Sequence, residues 1–340
     1  MSDLSPIIAA PKAKHRPFAI TRLAGFLIAA LVIIVLPLFV TDSYWRTNLI
    51  VSAINVLLAI GLDFVLGYAG QLNIGQSAFY GIGAYASTLF VMKLGLPFWA
   101  AFVIGTLAAG LAGALLSFFA VRLRGHYLAI ASLGFAVIVY QILLNWISLT
   151  QGPLGIYGIK PPPAIAIPGL AQVVFADLRN LFYLVAGFAL VVYIVLDQMV
   201  RSPIGETLTA IREDEVSAAS LGIDAPKWKA FAFAVSSAAA GAAGCFYAPF
   251  VGTLVPDAFF ITESFTILAM VIVGGMGTLI GPVFGAILLT VLPEFLRSIG
   301  DLRLIVYGAS VTLVVLFMPG GIVEAFRLLR RRLYSESGMR

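Results

Sequence analysis

The chain has 340 residues, 61% hydrophobic and 11% charged, whereas a soluble globular domain carries about a quarter of its residues as charges, so that class is excluded. The net charge of +5 sits in Lys and Arg at the flanks of apolar runs, a pattern of membrane interfaces and not of nucleic-acid binding. One cysteine, Cys245, excludes a disulfide framework within the chain.

The apolar material comes in runs of about 20 residues, enough to cross roughly 30 Å of hydrocarbon as helix. The alternating ten-residue strands of a membrane barrel are not seen. The expected fold is an all-α polytopic protein embedded in a lipid bilayer, with about ten transmembrane helices. Residues 1–19 form a basic tail with Lys12, Lys14 and Arg16. The following apolar run is too long for a signal peptide. The spans read 20–40, 47–66, 72–92, 97–121, 127–147, 180–200, 229–250, 262–280, 282–299 and 303–318. Span 72–92 is the weakest, being rich in Gly and polar residues. The transmembrane domain thus covers 20–320. A second basic tail, 321–340, contains Arg327, Arg330, Arg331 and Arg332. Basic flanks stay in the cytoplasm, so both tails belong there and the number of spans is even. Ten spans put Arg122, Arg124 and residues 201–229 on the same side. The loop 148–179, with Pro161-Pro162-Pro163, then faces outward, as a stiff connector or a docking surface.

Two glycine-rich segments interrupt the two halves of the domain. The first contains Gly67, Gly70, Gln71, Asn73, Gly75, Gln76, Ser77, Gly81 and Gly83; the second Gly274, Gly275, Gly277 and Gly281-Pro282. Ile74-Gly75 before Phe79 and Gly81 echoes Ile280-Gly281 before Phe284 and Gly285, which points to an internal repeat. Clustered glycines break helices or let backbones touch. Paired breaks in two halves of a transporter mark its pathway. The neutral Gln71, Asn73, Gln76 and Ser77 suit a neutral or zwitterionic solute. Asp63 lies inside the second span, where a charge must face protein or water. Gln141 and Asn145 share one face of the fifth span, either lining a path or bonding between helices. Glu263 and Glu294 read as solvated groups at span ends.

Between two apolar runs lies a charged segment, 201–229. Ser202 and Pro203 form a helix start, Asp214 begins a second short helix, and Gly222 stops it before Pro226. Ile204, Leu208, Ile211 and Ala218 form one apolar face. Arg212, Glu213 and Asp214 supply a charged tip. Ala218, Ala219 and Gly222 permit close approach of a groove on a soluble partner. The bland alternative is a solvated amphipathic loop. No phosphate-binding loop, metalloprotease helix, Cys pair or nucleophile elbow is present, so the chain has neither a nucleotide site of its own nor an enzyme's constellation. A self-sufficient secondary transporter would want a chain of buried acids and histidines, which is missing.

At this point a family is recognisable. The runs Gly67–Ala84, His126–Phe135, Thr150–Ile156, Ala210–Gly222 and Ile267–Pro282 together resemble those of branched-chain amino acid ABC permeases of the LivM type, over residues 45–325. The resemblance implies one of two homologous membrane subunits in the inner membrane of a bacterium. It also implies two cytoplasmic ATP-binding subunits that hold ATP and Mg, with no cofactor on this chain, and a periplasmic solute-binding protein. Segment 217–222 looks like the family's ATPase-coupling loop. The sequence departs from the family at Val137 and Tyr140, where an acid and an Arg are usual, and at Asp63, where Asn is usual. These departures bear on the solute, which relatives of this scaffold extend to urea, amides and aromatic acids.

Overall fold

A computed structural model describes residues 19–120, 126–164 and 174–296, together with 305, 308–309, 312–313, 316 and 320–322. The long helices are α1 (Ala19–Phe39), α2 (Ser43–Asp63), α3 (Gln76–Leu94), α4 (Phe98–Ala120) and α5 (His126–Asn145). A short α6 (Ile147–Thr150) leads toward α7 (Leu178–Arg201), α8 (Pro203–Glu213) and α9 (Glu215–Ser220). The rest are α10 (Ala225–Val251), α11 (Ile261–Gly274) and α12 (Ile280–Phe295).

Six stretches among the described residues are long and apolar enough to cross a membrane: Ser43–Tyr68, Phe98–Phe119, Tyr127–Asn145, Leu178–Arg201, Ala225–Val251 and Pro256–Gly274. Ala24–Phe39 and Ile280–Phe295 are shorter apolar helices. The chain is therefore a multi-pass helical membrane protein, with fewer long spans described than the ten expected. Of the four expected spans not among the six, 20–40 and 282–299 correspond to the two shorter helices, which are too short among the described residues. The other two have separate causes. The helix over 76–94 is regular, but its Gln, Ser, Lys and Gly residues dilute its hydropathy. The expected last span, 303–318, falls mostly outside the described residues, as do Arg122, Arg124 and both basic tails.

The core is built on α10, which packs against α4, α3 and α2. Its Ala238–Gly244 run carries only small side chains, so neighbouring backbones come very close. A Cβ built on Gly83 would overlap the Gly241 backbone, and one on Gly244 would overlap Tyr80 and Ala84. Cys245 is fully buried here, its thiol facing the Gly83 carbonyl at 3.4 Å.

Contacts sort the loops into two ends. At one end Lys93 Nζ donates to the Ser148 carbonyl at 2.9 Å. There β1 (Ile156–Tyr157) pairs antiparallel with β2 (Thr253–Leu254) in the register Ile156↔Leu254, Tyr157↔Thr253. At the other end the C-termini of α2, α8 and α11 converge. Segment 252–260 does not stay at its own end. Phe259 packs on Tyr80, ring centroids 5.0 Å apart, and on Tyr247. The next helix, α11, thus begins inside the bundle.

Candidate functional site

The second span does not end cleanly. Residues Phe64–Tyr68 continue α2 as a π-helical turn, a form that recurs at functional sites. Gly70 follows with φ +66°, and an irregular stretch leads to α3. Irregular backbone at membrane depth must find its partners inside the protein, and here it does. Gly75 N donates to Asn73 Oδ1 at 2.8 Å, and Asn73 Nδ2 to Gln76 Oε1 at 2.9 Å. Ile74 N donates to Ser132 Oγ on α5 at 2.9 Å. Ser77 N donates to Ser264 Oγ on α11 at 2.9 Å, and the two hydroxyls are 2.8 Å apart. Gln76 Nε2 reaches the Ser236 carbonyl on α10 at 3.4 Å. Asn73, Gln76, Ser77, Ser132 and Ser236 are wholly buried. The result is a node of neutral amides and hydroxyls drawn from four helices and one break. Gln71 is buried beside it, with Oε1 unpartnered among the described residues.

A second cluster lies where the two glycine-rich breaks meet. Asp63 is fully buried, and its Oδ1 accepts the Gly277 amide at 2.8 Å. Its Oδ2 has no hydrogen-bond partner among the described residues. A Cβ on Gly67 would collide with Asp63 and with the Gly277 backbone. Gly274 and Gly281 are similarly locked, since a Cβ on Gly274 would overlap the Gly281 carbonyl. Gly275 has φ +115° and Gly277 φ +74°. Into this junction comes Arg212 from the end of α8, whose Nη1 donates to the Gly67 carbonyl.

The charged segment folds as a knuckle on the same end. Ser202 Oγ accepts Ile204 N, and Pro203 starts α8. Asp214 caps α9, accepting Val216 N at 2.9 Å, Ser217 N at 3.3 Å and the Ser217 hydroxyl at 2.6 Å. Those bonds, the Ser217 hydroxyl foremost, hold its carboxyl below the usual aspartate value. Gly222 closes the segment at φ +83°. Lys229 pairs with Glu215 at 2.9 Å. Ile211, Ala218 and Ala225 form a small core of the knuckle itself, with Ile223 and Trp228 against it. Ala219, Glu213 and Gly222 are exposed, as are Val216 at 66% and Leu221 at 81%.

Comparison with known proteins decides the family. The model of the family described as "branched-chain amino acid transport system / permease component" matches residues 44–317. The chain belongs to this permease family. It is 35% identical over 319 residues to the high-affinity branched-chain amino acid transport system permease protein LivM of Escherichia coli, covering 89% of this chain and 75% of that one. It is 28% identical over 295 residues to permease protein LivH of the same organism, covering 78% and 90%. It is 21% identical over 318 residues to a probable LivM of Methanocaldococcus jannaschii, covering 78% and 89%. No solved structure matches.

Within this permease, Tyr140 has a visible partner and Val137 a visible surface. Tyr140 donates its hydroxyl to Asp257 at 2.8 Å, tying α5 to segment 252–260. Val137 is exposed beside Gln141 and Asn145. Together with Ile138, Ile142 and Trp146 they line an open groove of about 550 Å³ along α5. Gln141 and Asn145 are thus apart from the buried node, and they bond each other at 3.1 Å. The node also contains residues that the sequence reading missed. Ser132, Ser236 and Ser264 are isolated hydroxyls in apolar runs, and only a tertiary partner distinguishes them from helix-packing serines. Glu263, read as a solvated end group, stands half-buried at the inner start of α11. Glu294, read the same way, accepts the Tyr44 hydroxyl.

Proposed function

We propose that this chain is the permease subunit of a bacterial ABC importer of branched-chain or related amino acids. ATP hydrolysis on partner chains would drive transport of solute delivered by a periplasmic binding protein. The observation that carries the reading is the knuckle α8–α9. It is polar, capped at each start and bonded to the membrane domain, yet it presents Val216 and Leu221 outward. Exposed apolar side chains flanked by charge are what a soluble partner's groove covers. ATP and Mg would sit on two such partners in the cytoplasm. A second, homologous permease completes the assembly, and the similarity to both LivM and LivH supports two related subunits. The basic tails support cytoplasmic termini, ten spans and an inner-membrane location.

The pathway would run past Asp63 and through the node at Gln71, Asn73, Gln76 and Ser77, with Gly70, Gly75, Gly274, Gly275 and Gly277 letting the breaks bend, and with Gln141 and Asn145 along the groove. The neutrality of the node supports a zwitterionic solute. A scaffold importing urea, short amides or aromatic acids is a second reading, left open by Val137 and Tyr140.

The test is reconstitution. The chain, co-expressed with candidate ATP-binding subunits of its source genome, should co-purify with one of them and take up a branched-chain amino acid in vesicles only with ATP and binding protein. The double substitution Val216→Glu, Leu221→Glu should abolish co-purification while membrane insertion persists. Uptake by the chain alone, without ATP, would overturn the reading. Calorimetry of the binding protein against amino acids, amides and aromatic acids fixes the solute.

A further inference from the structure

Arg212 is the last-turn cation of α8, and an exposed arginine in a cytoplasmic segment would ordinarily be solvated or face a partner. Here it points into the membrane domain. Its Nη1 bonds the Gly67 carbonyl, which belongs to the π-helical turn closing the first half's span. Its guanidinium also lies against the second half's break. A Cβ built on Gly277 would sit 3.4 Å from Arg212 Nη1 and 3.3 Å from the Gly67 carbonyl. At Gly70 there is no room to spare, since a Cβ would lie 2.7 Å from Arg212 Cγ. The two breaks are themselves tied by Asp63, which takes the Gly277 amide with one oxygen and leaves the other unpartnered. A buried carboxylate is costly unless protein groups face it, and the Gly277 amide is the partner Asp63 has.

One side chain from α8 therefore bonds the first broken segment and lies against the second, and one buried carboxylate links the two. We propose that Arg212 and Asp63 form a single joint, which passes a displacement of α8–α9 to the Gly67–Gly75 and Gly274–Gly281 breaks together. Both act in this joint as positioning residues. The inference rests on the reading that α8–α9 receives an ATPase. It adds that the stroke enters the membrane domain at the meeting point of the two halves, through Gly67 and Gly277.

Two measurements test it. In vesicles holding the complete importer, Arg212→Ala and Asp63→Ala should each lower solute moved per ATP hydrolysed by about tenfold. The double variant should be no worse than the worse single one. A merely structural role would lower uptake and hydrolysis together and leave their ratio unchanged. Either that result or losses that multiply in the double variant would overturn the joint. On the purified chain alone, each single substitution should speed amide hydrogen exchange across 274–279 by about tenfold. Arg212→Lys, which keeps the charge and one donor, should speed it less. Unaltered exchange in both Arg212→Ala and Asp63→Ala would overturn the joint, whatever binds the knuckle. Failure of any ATPase to bind the wild-type chain would instead sink the importer reading, and leave the exchange result to decide the joint.

Discussion

Asn73 and Gln76 are partners of each other before they are partners of anything else. Their bonds satisfy the broken backbone at Gly75, and Ser77 does the same against Ser264. On the proposed pathway, a solute's polar groups must replace these bonds to pass. Gly70 shows how little slack the neighbouring cluster has. Its φ of +66° costs an L side chain about 1–2 kcal/mol, and any Cβ also pushes on Arg212. Gly95 has nearly the same φ, +67°, with nothing within 4 Å of a Cβ. The comparison separates backbone strain from crowding. Gly95→Ala should lose only the strain, about 1 kcal/mol of stability, and keep uptake. Gly70→Ala should lose more stability and most uptake. Thermal unfolding in detergent and vesicle uptake read the two effects, and equal behaviour of the pair would show that Arg212 yields freely.

The knuckle is the element whose local structure the sequence makes most legible. Ser202-Pro203, Asp214 and Gly222 punctuate it, and the helices begin and stop where those residues put them. Capping depends on residues within a few positions of each other, so a single sequence contains the whole argument. The direction of Arg212 was not legible, because its acceptor lies 145 residues away. The Ala218 methyl likewise turns inward to Ile211 and Ala225. Helical spacing put it on an apolar face without saying what that face covers. The node was half legible: Asn73, Gln76 and Ser77 stand out as polar residues in an apolar run, but their serine partners look like any others. The cap also makes a pH prediction. The carboxyl of Asp214 is held below its ordinary value, so its contribution is present above the unfolded value, about 4, and lost as pH falls through the lower folded one. Protection of the Val216 and Ser217 amides should stay flat from neutral pH to about 4 and decline only below it. Asp214→Ala should remove that protection at every pH, and a decline beginning near pH 6 would contradict the cap.

Across the whole molecule, six of the expected spans coincide with long apolar helices among the described residues, while α3 is a helix whose polar first turns, serving the node, lower its hydropathy. Tertiary contacts supply what composition cannot. Lys93–Ser148 and β1–β2 gather at one end, Asp63, Arg212 and Gly277 at the other. Single cysteines at Gly95 and Tyr157 should therefore label with an impermeant reagent from one side of the membrane, and those at Val216 and Leu221 from the opposite side. Cys245, fully buried, should stay silent as the background. Labelling of Gly95 and Leu221 from the same side would refute the arrangement. The contact of backbones along α10 also has a genetic consequence. Every single-base missense change in a glycine codon installs a larger side chain, so random mutagenesis should yield inactive alleles at Gly83 and Gly244 in excess. Their added atoms would strike main chain, which no second mutation can trim away. At Gly241 the first obstacle is the Ala109 methyl, and there Ala109→Gly should return as a suppressor. Suppressor frequency thereby maps which helix contacts are made by side chains and which by the chain itself.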